Sequence, residues 1–387
     1  MCFKQDALDS IAYILIFGNF YVKIKEKIFQ EINENSTVFD ALKLASSYYT
    51  YVYYCIQDNI KEITEEEIEQ LIKMAPCKVI GITGSDGKTT TTTLISEILK
   101  NKSTISFEVF PPKNKEGDIS SIYSTIEGLA KLSPDFISVT YGAGGSTKGK
   151  TVEIASVIKH EYGIESVAHL SCISSTKEDI KYECERLKEA GIDNILALRG
   201  DYPADATNFD PENLEFHYAS ELNEFIGEHF KGQFCLSGAC YPETHQEADG
   251  FKKDLEALKK KVDAGAEYLV TQIFFDNDYY YRLVREARKI GITVPILAGI
   301  MPITNAKSLI RTTKMCGCTI PYQLSTMIEA HYDNPEAMKE IGINYAAQQI
   351  IDLITNGVDG IHIYTMNRAE TAQRVFDSIP AVLKELN

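Results

Sequence analysis

The sequence lacks several features that mark particular classes of protein. Its 387 residues hold only 39 Lys and Arg against 55 Asp and Glu, a formal net charge of −16 at pH 7. This balance disfavours a phosphate backbone as partner, so nucleic acid is not expected. The nine cysteines include no Cys-x-x-Cys pair, and Cys316-Gly-Cys318 is too short for the usual zinc knuckle. We therefore expect no metal site. We also expect a cytoplasmic location, because an odd number of cysteines without a disulfide framework fits a reducing compartment.

A long hydrophobic run is also missing. The apolar stretch from Ile11 to Val22 is preceded by Asp6 and Asp9 and interrupted by Asn19. It is too short to span a bilayer, and it lacks the basic segment and the small-residue cleavage site of a secretory leader. No membrane span is therefore expected.

The composition that remains is globular, with 44% apolar and 24% charged residues. The length predicts two domains, or one large domain with an appendage. From Ile105 onward, short apolar β-branched runs alternate with polar turns and helical stretches. The eight runs are 105–110, 137–142, 166–172, 194–201, 235–242, 268–276, 294–302 and 360–367.

Near-continuous apolar runs separated by helices indicate a parallel sheet that is buried on both faces. Eight of them fit a closed (β/α)8 barrel, and an open doubly wound sheet is the alternative. The intervening helices show the expected period: after Asp249, the residues Phe251, Leu255 and Leu258 fall on one face. The longer interval before the eighth run predicts extra helices, including one from Pro335.

Polar residues stand at the carboxyl ends of most runs, where a barrel places its active site. They are Glu108, Thr140, Tyr141, His169, Arg199, Gly200, Asp201, Tyr241, Glu243, His245, Gln272, Asp276, Asn367 and Arg368. Each unpaired polar group in a core would cost about 1–3 kcal/mol, so a purely structural role for all of them is disfavoured. For His169 and His245, hydrogen bonding is favoured over metal ligation.

Two carboxylates stand out at these ends. Glu108 lies among apolar residues in ISFEVFPP, so its charged form should be desolvated, which suits a general acid. The alternative is a structural ion pair at the rim. Asp201 follows Gly200, which lets a ligand approach the backbone, and its carboxylate could steer a developing charge. The alternative there is a β-turn with an Arg199–Asp201 pair.

A lysine-rich helix is the next candidate. Lys252, Lys253, Lys259, Lys260 and Lys261 could together hold a pyrophosphate in an otherwise acidic protein. The alternative is a solvated helix face. Cys172, Cys235 and Cys240 lie in apolar strands and are predicted to pack as small hydrophobic residues.

Eight sequence motifs, taken in chain order, together resemble those of a known protein family. In chain order they are SFEVFPPK, FISVTYGAGGS with Thr151, AHLSC, LALRGD, ACYPETH, KKKVDAGAEYLVTQIFFD, GIMPITN and HIYTMNRAE. Residues 101–387 resemble the bacterial-type methylenetetrahydrofolate reductase family. The resemblance implies an FAD-binding (β/α)8 reductase barrel of one-carbon metabolism, which reduces 5,10-methylenetetrahydrofolate to 5-methyltetrahydrofolate.

The resemblance also implies roles. Glu108 matches the general acid, and Asp201 the carboxylate between flavin and folate. Gln272, Thr140 and Arg368 match substrate contacts. Flavin contacts are implied for Tyr141, Ala143, His169, Arg199, Gly200, Asp201, Tyr218, Ala219, Tyr241, His245, Asp254, Lys260 and Lys261.

NADH or NADPH is the implied reductant of the FAD. Ser308 and Thr312 stand where the better-known enterobacterial pattern has Gln and Phe in the shared folate and nicotinamide pocket. An electron-transfer partner protein is therefore left open as an alternative donor, and a homo-oligomer is also left open.

The first hundred residues follow another pattern. Residues 77–99 resemble the ATP-binding loop of the muramyl peptide ligases, with Gly84, Gly87, Lys88 and Thr89 placed to wrap a phosphate. The rest of a ligase does not follow, so we expect residues 1–100 to be a mainly helical appendage to the barrel at 101–387. An ATP-binding or ligase-type module, and a non-catalytic fusion, are the alternative functions.

Overall fold

The computed structural model of the protein describes residues 103–112, 120–141, 148–202 and 213–384. Eight parallel strands close into a barrel in sequence order. The predicted TIM barrel is confirmed, and the open sheet is wrong. The strands are β1 Thr104–Val109, β2 Phe136–Val139, β3 Glu165–Ser171, β4 Asn194–Leu198, β5 Cys235–Cys240, β6 Ala266–Thr271, β7 Ile296–Ile300 and β8 Gly360–Tyr364. The appendage and the ligase-like segment lie outside the described residues, so the domain boundary stays a prediction.

Helices follow the strands around the outside of the barrel. They are α1 Ser120–Ala130, α2 Lys148–His160, α3 Lys177–Glu189, α4 Ala219–His229, α5 Phe251–Asp263, α6 Asn277–Lys289, α7 Ala306–Cys316, α8 Tyr322–His331, α9 Pro335–Thr355, α10 Ala369–Ser378 and α11 Pro380–Leu383. The segment between β7 and β8 contains α7, α8 and α9, which confirms the extra helices. Among the described helices, none is both long enough and apolar enough to cross a membrane.

The main hydrophobic core lies between the strands and the helices. Phe107 and Val109 of β1 are fully buried there, together with Ile122 and Ile126 of α1. Cys172 and Cys240 are also buried in this core, as predicted for small hydrophobic residues. Because side chains alternate along a strand, the residue between Phe107 and Val109 must face the barrel interior.

The barrel interior has an apolar floor. Tyr268, Val270 and Leu297 form a buried cluster, and Phe136 and Cys235 pack against it. Phe136 and Cys235 are the first residues of their strands, so this cluster fills the amino-terminal half of the barrel.

One of the polar strand-end residues proves to be a helix cap. The side chain of Asp276 accepts a hydrogen bond from the backbone N–H of Asp278 and caps α6. Asn305 caps α7 in the same way through the N–H of Ser308. Such caps stabilise a helix by about 1 kcal/mol each. Asp276 therefore has a structural role that its position at a strand end did not reveal.

Candidate active site

Glu108 is the centre of the polar layer inside the barrel. Its residue is only 6% exposed. Its Oε2 lies 3.4 Å from Nε2 of His169 on β3 and 3.6 Å from Nε2 of His362 on β8. Since β1 and β3 are not neighbours, the first contact crosses the barrel interior. Within the described residues, both charged-group contacts of Glu108 are thus imidazoles, rather than a Lys or Arg at the rim.

Glu108 is buried, but not by the neighbouring residues in the chain that the sequence analysis relied on. The sequence argument relied on the apolar neighbours Phe107 and Val109, but these side chains pack against the helices on the other face of the sheet. What encloses Glu108 comes from other strands. Burial lowers the pKa of His169, the charge of Glu108 opposes this, and the nearby His362 adds to it; the net pKa is about 4, so His169 is neutral near pH 7.

His362 was missed by sequence reasoning. It is 1% exposed, its Nδ1 lies 2.8 Å from Oγ of Ser106, and its ring stacks 6.0 Å from that of Phe136. The available signal was a histidine in the middle of the apolar run GIHIY. A single buried histidine in a strand is common, so the signal gained meaning only when β8 was placed beside β1.

Tyr364 closes one side of the layer. Its hydroxyl donates to the carbonyl of Thr271 over 2.7 Å, and its ring meets that of His362 edge to face at 5.2 Å. Burial, and then the charge of Glu108, raise the pKa of Tyr364 well above its ordinary value. The position of Tyr364 depends on Gly299, because a Cβ there would lie 2.7 Å from the tyrosine ring.

A hydrogen-bonded clamp joins the carboxyl ends of β1 and β8. Asn367 accepts from the N–H of Phe110 and donates to its carbonyl, both over 2.8 Å. The hydroxyl of Thr365 donates to the carbonyl of Glu108 over 2.6 Å. Asn367 has φ 58°, a left-handed conformation that Asn adopts more readily than most residues. The clamp fixes the backbone that carries Glu108.

Asp201 lies at the exposed rim beyond β4. Burial, and then the charge of Asp201, raise the pKa of Cys316, which places Asp201 near the end of α7. The predicted alternative of an Arg199–Asp201 pair is wrong, because Arg199 forms a bidentate ion pair with Glu247. Gly200 has φ 86°, and a Cβ there would lie 2.0 Å from Oγ of Ser171. Asp201 therefore lies exposed at the carboxyl-terminal mouth of the barrel, without Arg199 as a partner.

Residues from β5 and α5 form a second polar group. The N–H of His245 donates to Asp254 over 2.8 Å, and the rings of Tyr241 and His245 meet edge to face at 4.6 Å. Burial raises the pKa of Asp254 and lowers that of His245. The structure therefore brings these three implied flavin contacts together.

The lysine-rich helix does not present one cluster. Lys253 pairs with Glu256 and Lys259 with Asp263, while Lys252 and Lys260 are exposed. Lys261 alone turns inward, where its ammonium donates to the carbonyl of Ala239. Burial lowers the pKa of Lys261. The expectation of five lysines acting together is wrong, because the helical period distributes them over different faces.

Two buried polar groups from the neighbouring strands β2 and β3 lack hydrogen-bond partners in the described structure. The hydroxyl of Tyr141, just after β2, and Nε2 of His169 on β3 have no hydrogen-bond partner within the described structure. Burial raises the pKa of Tyr141, so its hydroxyl keeps its proton. The neighbouring Thr140 carbonyl accepts from Thr151 over 3.0 Å. Ala143 lies outside the described residues.

The remaining predicted residues lie around the same mouth. Gln272 follows β6, and its side-chain oxygen accepts from the N–H of Ile273 over 2.8 Å. Arg368 is exposed and donates to the hydroxyl of Thr304 over 2.5 Å. Tyr218 is exposed at the start of α4, and Ala219 is buried. Because all eight strands are parallel, these positions share one end of the barrel with Glu108.

Comparison with known proteins identifies the family. The model of the family described as methylenetetrahydrofolate reductase matches residues 93–380. The chain belongs to the methylenetetrahydrofolate reductase family. The resemblance of residues 101–387 is thereby confirmed at the level of the family. The matches support no ligase-like segment at 77–99, which lies outside the described residues.

Bacterial and plant members of the reductase family are similar to the chain over the same region. The 5,10-methylenetetrahydrofolate reductase of Escherichia coli is 37% identical over 271 residues, which cover 70% of this chain and 88% of that protein. Methylenetetrahydrofolate reductase (NADH) 1 of Arabidopsis thaliana is 38% identical over 282 residues, 70% of this chain and 48% of that protein. The chain thus spans about half the length of its plant relatives.

A solved structure shares the barrel of the reductase family. It is an uncharacterized protein from Clostridium thermocellum that binds two copies of 5-methyl-5,6,7,8-tetrahydrofolic acid. The TM-score is 0.53 with 15% identity, and the alignment covers 74% of this chain and 99% of that one. At this identity the likeness shows the fold.

Proposed function

We propose that the chain reduces 5,10-methylenetetrahydrofolate to 5-methyltetrahydrofolate. Membership of the reductase family supports this activity, as does the coverage of about nine tenths of its bacterial relatives. The observation that carries the proposal is the buried carboxyl group of Glu108, which faces imidazoles at the carboxyl end of the barrel. A carboxylic acid held away from water at that end is suited to give a proton to a bound substrate.

FAD is the proposed cofactor, and the chain offers groups that fit it. The buried hydroxyl of Tyr141 and Nε2 of His169 have no hydrogen-bond partner in the described structure. Carbonyl or hydroxyl groups of the FAD would satisfy them. Arg199, His245 and Lys261 could hold a phosphate, and Tyr241, Asp254, Gly200, Tyr218 and Ala219 would line the same region. When bound, the reduced flavin supplies the hydride.

The residues of the chain would act on the folate in a definite order. Glu108 gives its proton to N10 of the substrate, the N10–CH₂ bond breaks, and a cationic iminium forms at N5. The carboxylate of Asp201 favours that positive charge. Gln272, whose side-chain oxygen is occupied by Ile273, would turn its amide N–H groups to the pterin. Thr140 and Arg368 are the further proposed contacts.

NADH is the proposed reductant, because the plant relatives are named for it. The full chain should purify as a yellow protein with flavin absorbance. It should also transfer electrons from 5-methyltetrahydrofolate to an artificial acceptor, which tests folate chemistry without assuming the physiological donor. Reduction of the flavin by NADH or NADPH then identifies the donor. A flavin-free protein, or one inert toward methyltetrahydrofolate, would contradict the proposal.

The inward lysine leads to a prediction about flavin binding. Replacing Lys261 with Met keeps the aliphatic stem but removes the ammonium, so we expect FAD affinity to fall about tenfold or more, as for one charge-assisted hydrogen bond. Lys253→Met on the same helix is the matched control, because Lys253 is exposed and paired with Glu256. Flavin content after dialysis measures both. Equal flavin retention in the two variants would remove Lys261 from the phosphate site.

A further inference from the structure

The ladder between β6 and β7 ends before it reaches the mouth of the barrel. Its register pairs Leu269 with Ile296 and Val270 with Leu297, and the pairing stops there. In a parallel ladder the next backbone bond would join the N–H of Gly299 to the carbonyl of Thr271. The N–H of Gly299 instead donates to the side-chain hydroxyl of Thr271 over 2.8 Å, in a buried position. The carbonyl of Thr271 is thereby open to a donor from another strand.

That donor is the hydroxyl of Tyr364 on β8, which lies 2.7 Å from the carbonyl oxygen of Thr271. Since β7 stands between β6 and β8, the tyrosine ring passes over β7 to reach its acceptor. It passes at Gly299, where a Cβ would lie 2.7 Å from the ring and 2.3 Å from the Thr271 carbonyl oxygen. Glycine is therefore what makes room for this contact.

The peptide bond that Tyr364 holds is the one that leads into Gln272. The carbonyl of this peptide belongs to Thr271 and accepts from Tyr364. Its N–H belongs to Gln272 and donates to the carbonyl of Cys240 on β5 over 2.7 Å. Because a peptide is planar, hydrogen bonds on both of its sides fix its tilt. The direction in which the Gln272 side chain leaves the backbone is thereby fixed as well.

Tyr364 is also the partner of Glu108 across the ladder between β1 and β8. The register pairs the Cα atoms of these two residues. The hydroxyl of Thr365, the next residue, donates to the carbonyl of Glu108 over 2.6 Å. Side chains at paired positions of adjacent strands face the same side of the sheet, so Tyr364 and Glu108 both face the barrel interior. One residue thus connects the backbone at Glu108 with the peptide at Gln272.

We propose that Tyr364 is a positioning residue for folate, which holds Gln272 in a fixed orientation relative to Glu108 through its hydrogen bond to the Thr271 carbonyl. The inference rests on the proposed function, in which Gln272 contacts the pterin and Glu108 gives a proton to N10. Both groups act on one bound molecule, so productive alignment requires that their two strand ends keep a fixed spacing.

Tyr364→Phe removes the hydroxyl and keeps the ring, so the hydrogen bond is lost while the contact with His362 remains. Reduction of the flavin by 5-methyltetrahydrofolate, followed by stopped-flow absorbance, gives a folate Kd and a limiting rate. We expect the Kd to rise about five- to tenfold, as for the loss of one hydrogen bond. The limiting rate should fall about threefold, because the alignment with Glu108 is poorer. Flavin content after dialysis should stay that of the wild type.

Tyr280→Phe is the matched control. The hydroxyl of Tyr280 is buried and donates to the carbonyl of Ile296 over 2.7 Å, so the same kind of bond is lost at the amino end of β7. Urea unfolding should show similar losses of stability in the two variants, while only Tyr364→Phe changes the folate Kd. A wild-type folate Kd in Tyr364→Phe, or an equal rise in both variants, would overturn the positioning role.

A double-mutant cycle tests whether Tyr364 acts through Gln272. Gln272→Ala removes the proposed pterin contact, so adding Tyr364→Phe to it should change the folate Kd by less than about twofold. A further rise of about five- to tenfold would overturn the action through Gln272. If 5-methyltetrahydrofolate cannot reduce the wild-type protein, the proposed function itself is overturned. Similar losses of stability in Tyr364→Phe and Tyr280→Phe would then leave the bond of Tyr364 as a structural one.

Discussion

Replacing Glu108 with Gln is expected to lower folate reduction by about 10²- to 10⁴-fold, the range associated with loss of a general acid. Gln has nearly the same shape and keeps the buried position between the two imidazoles, but it has no proton to give. Since the implied flavin contacts do not include Glu108, FAD should stay bound. Electron transfer from the reductant to an artificial acceptor should therefore continue at close to the wild-type rate.

Stopped-flow kinetics of the two half-reactions separate these effects. Loss of the folate half-reaction alone supports proton transfer by Glu108, whereas equal losses in both indicate a damaged barrel. Glu370→Gln is the control, because Glu370 is exposed on α10 and pairs only with Lys339 among the contacts described for it. Folate turnover in Glu108→Gln equal to that of Glu370→Gln would refute the assigned role.

Replacing Gly342 with Ala is expected to lower the free energy of unfolding by about 3 kcal/mol, the upper part of the usual range for overpacking. Gly342 is buried in α9, and a Cβ there would lie 1.8 Å from the carbonyl oxygen of Ile303. Backbone cannot move aside as a side chain does, so the helix or the segment after β7 must shift. That segment includes Thr304, which binds Arg368.

Gly227→Ala makes the same change in a helix interior with the opposite outcome. Gly227 lies in α4, and a Cβ there would meet no atom within 4 Å. Ala should therefore stabilise the protein by about 0.5–1 kcal/mol through helix propensity. Urea unfolding of both variants measures the difference. Equal free energies of unfolding would show that α9 does not pack against Ile303 as described.

The barrel was predictable because each of its strands is buried on both faces. An apolar run such as 294–302 brackets β7, Ile296–Ile300, and the polar turn after it marks the strand end. The extra helix predicted from Pro335 was found because the interval before the eighth run is longer than the others. The local sequence pattern was sufficient to predict an element wherever the contacts that form it join residues close together in the sequence.

The candidate site was predictable only in part. The carboxyl-end rule located Glu108, Asp201 and Gln272 on one rim, yet it treated Asp276 as a candidate when it caps a helix. It also counted five lysines together, although α5 turns only Lys261 inward. Sequence spacing does not reveal which face of an element a neighbouring element covers.

The fold, the end of the barrel where the candidate residues meet, and the reductase family whose motifs the chain carries could all be inferred from the sequence. What surrounds Glu108 became clear only from the folded barrel. Its neighbours in the chain, Phe107 and Val109, point away from it because side chains alternate along a strand. The groups that face it, His169 and His362, come from strands far along the sequence, and only closure of the barrel brings them within 4 Å.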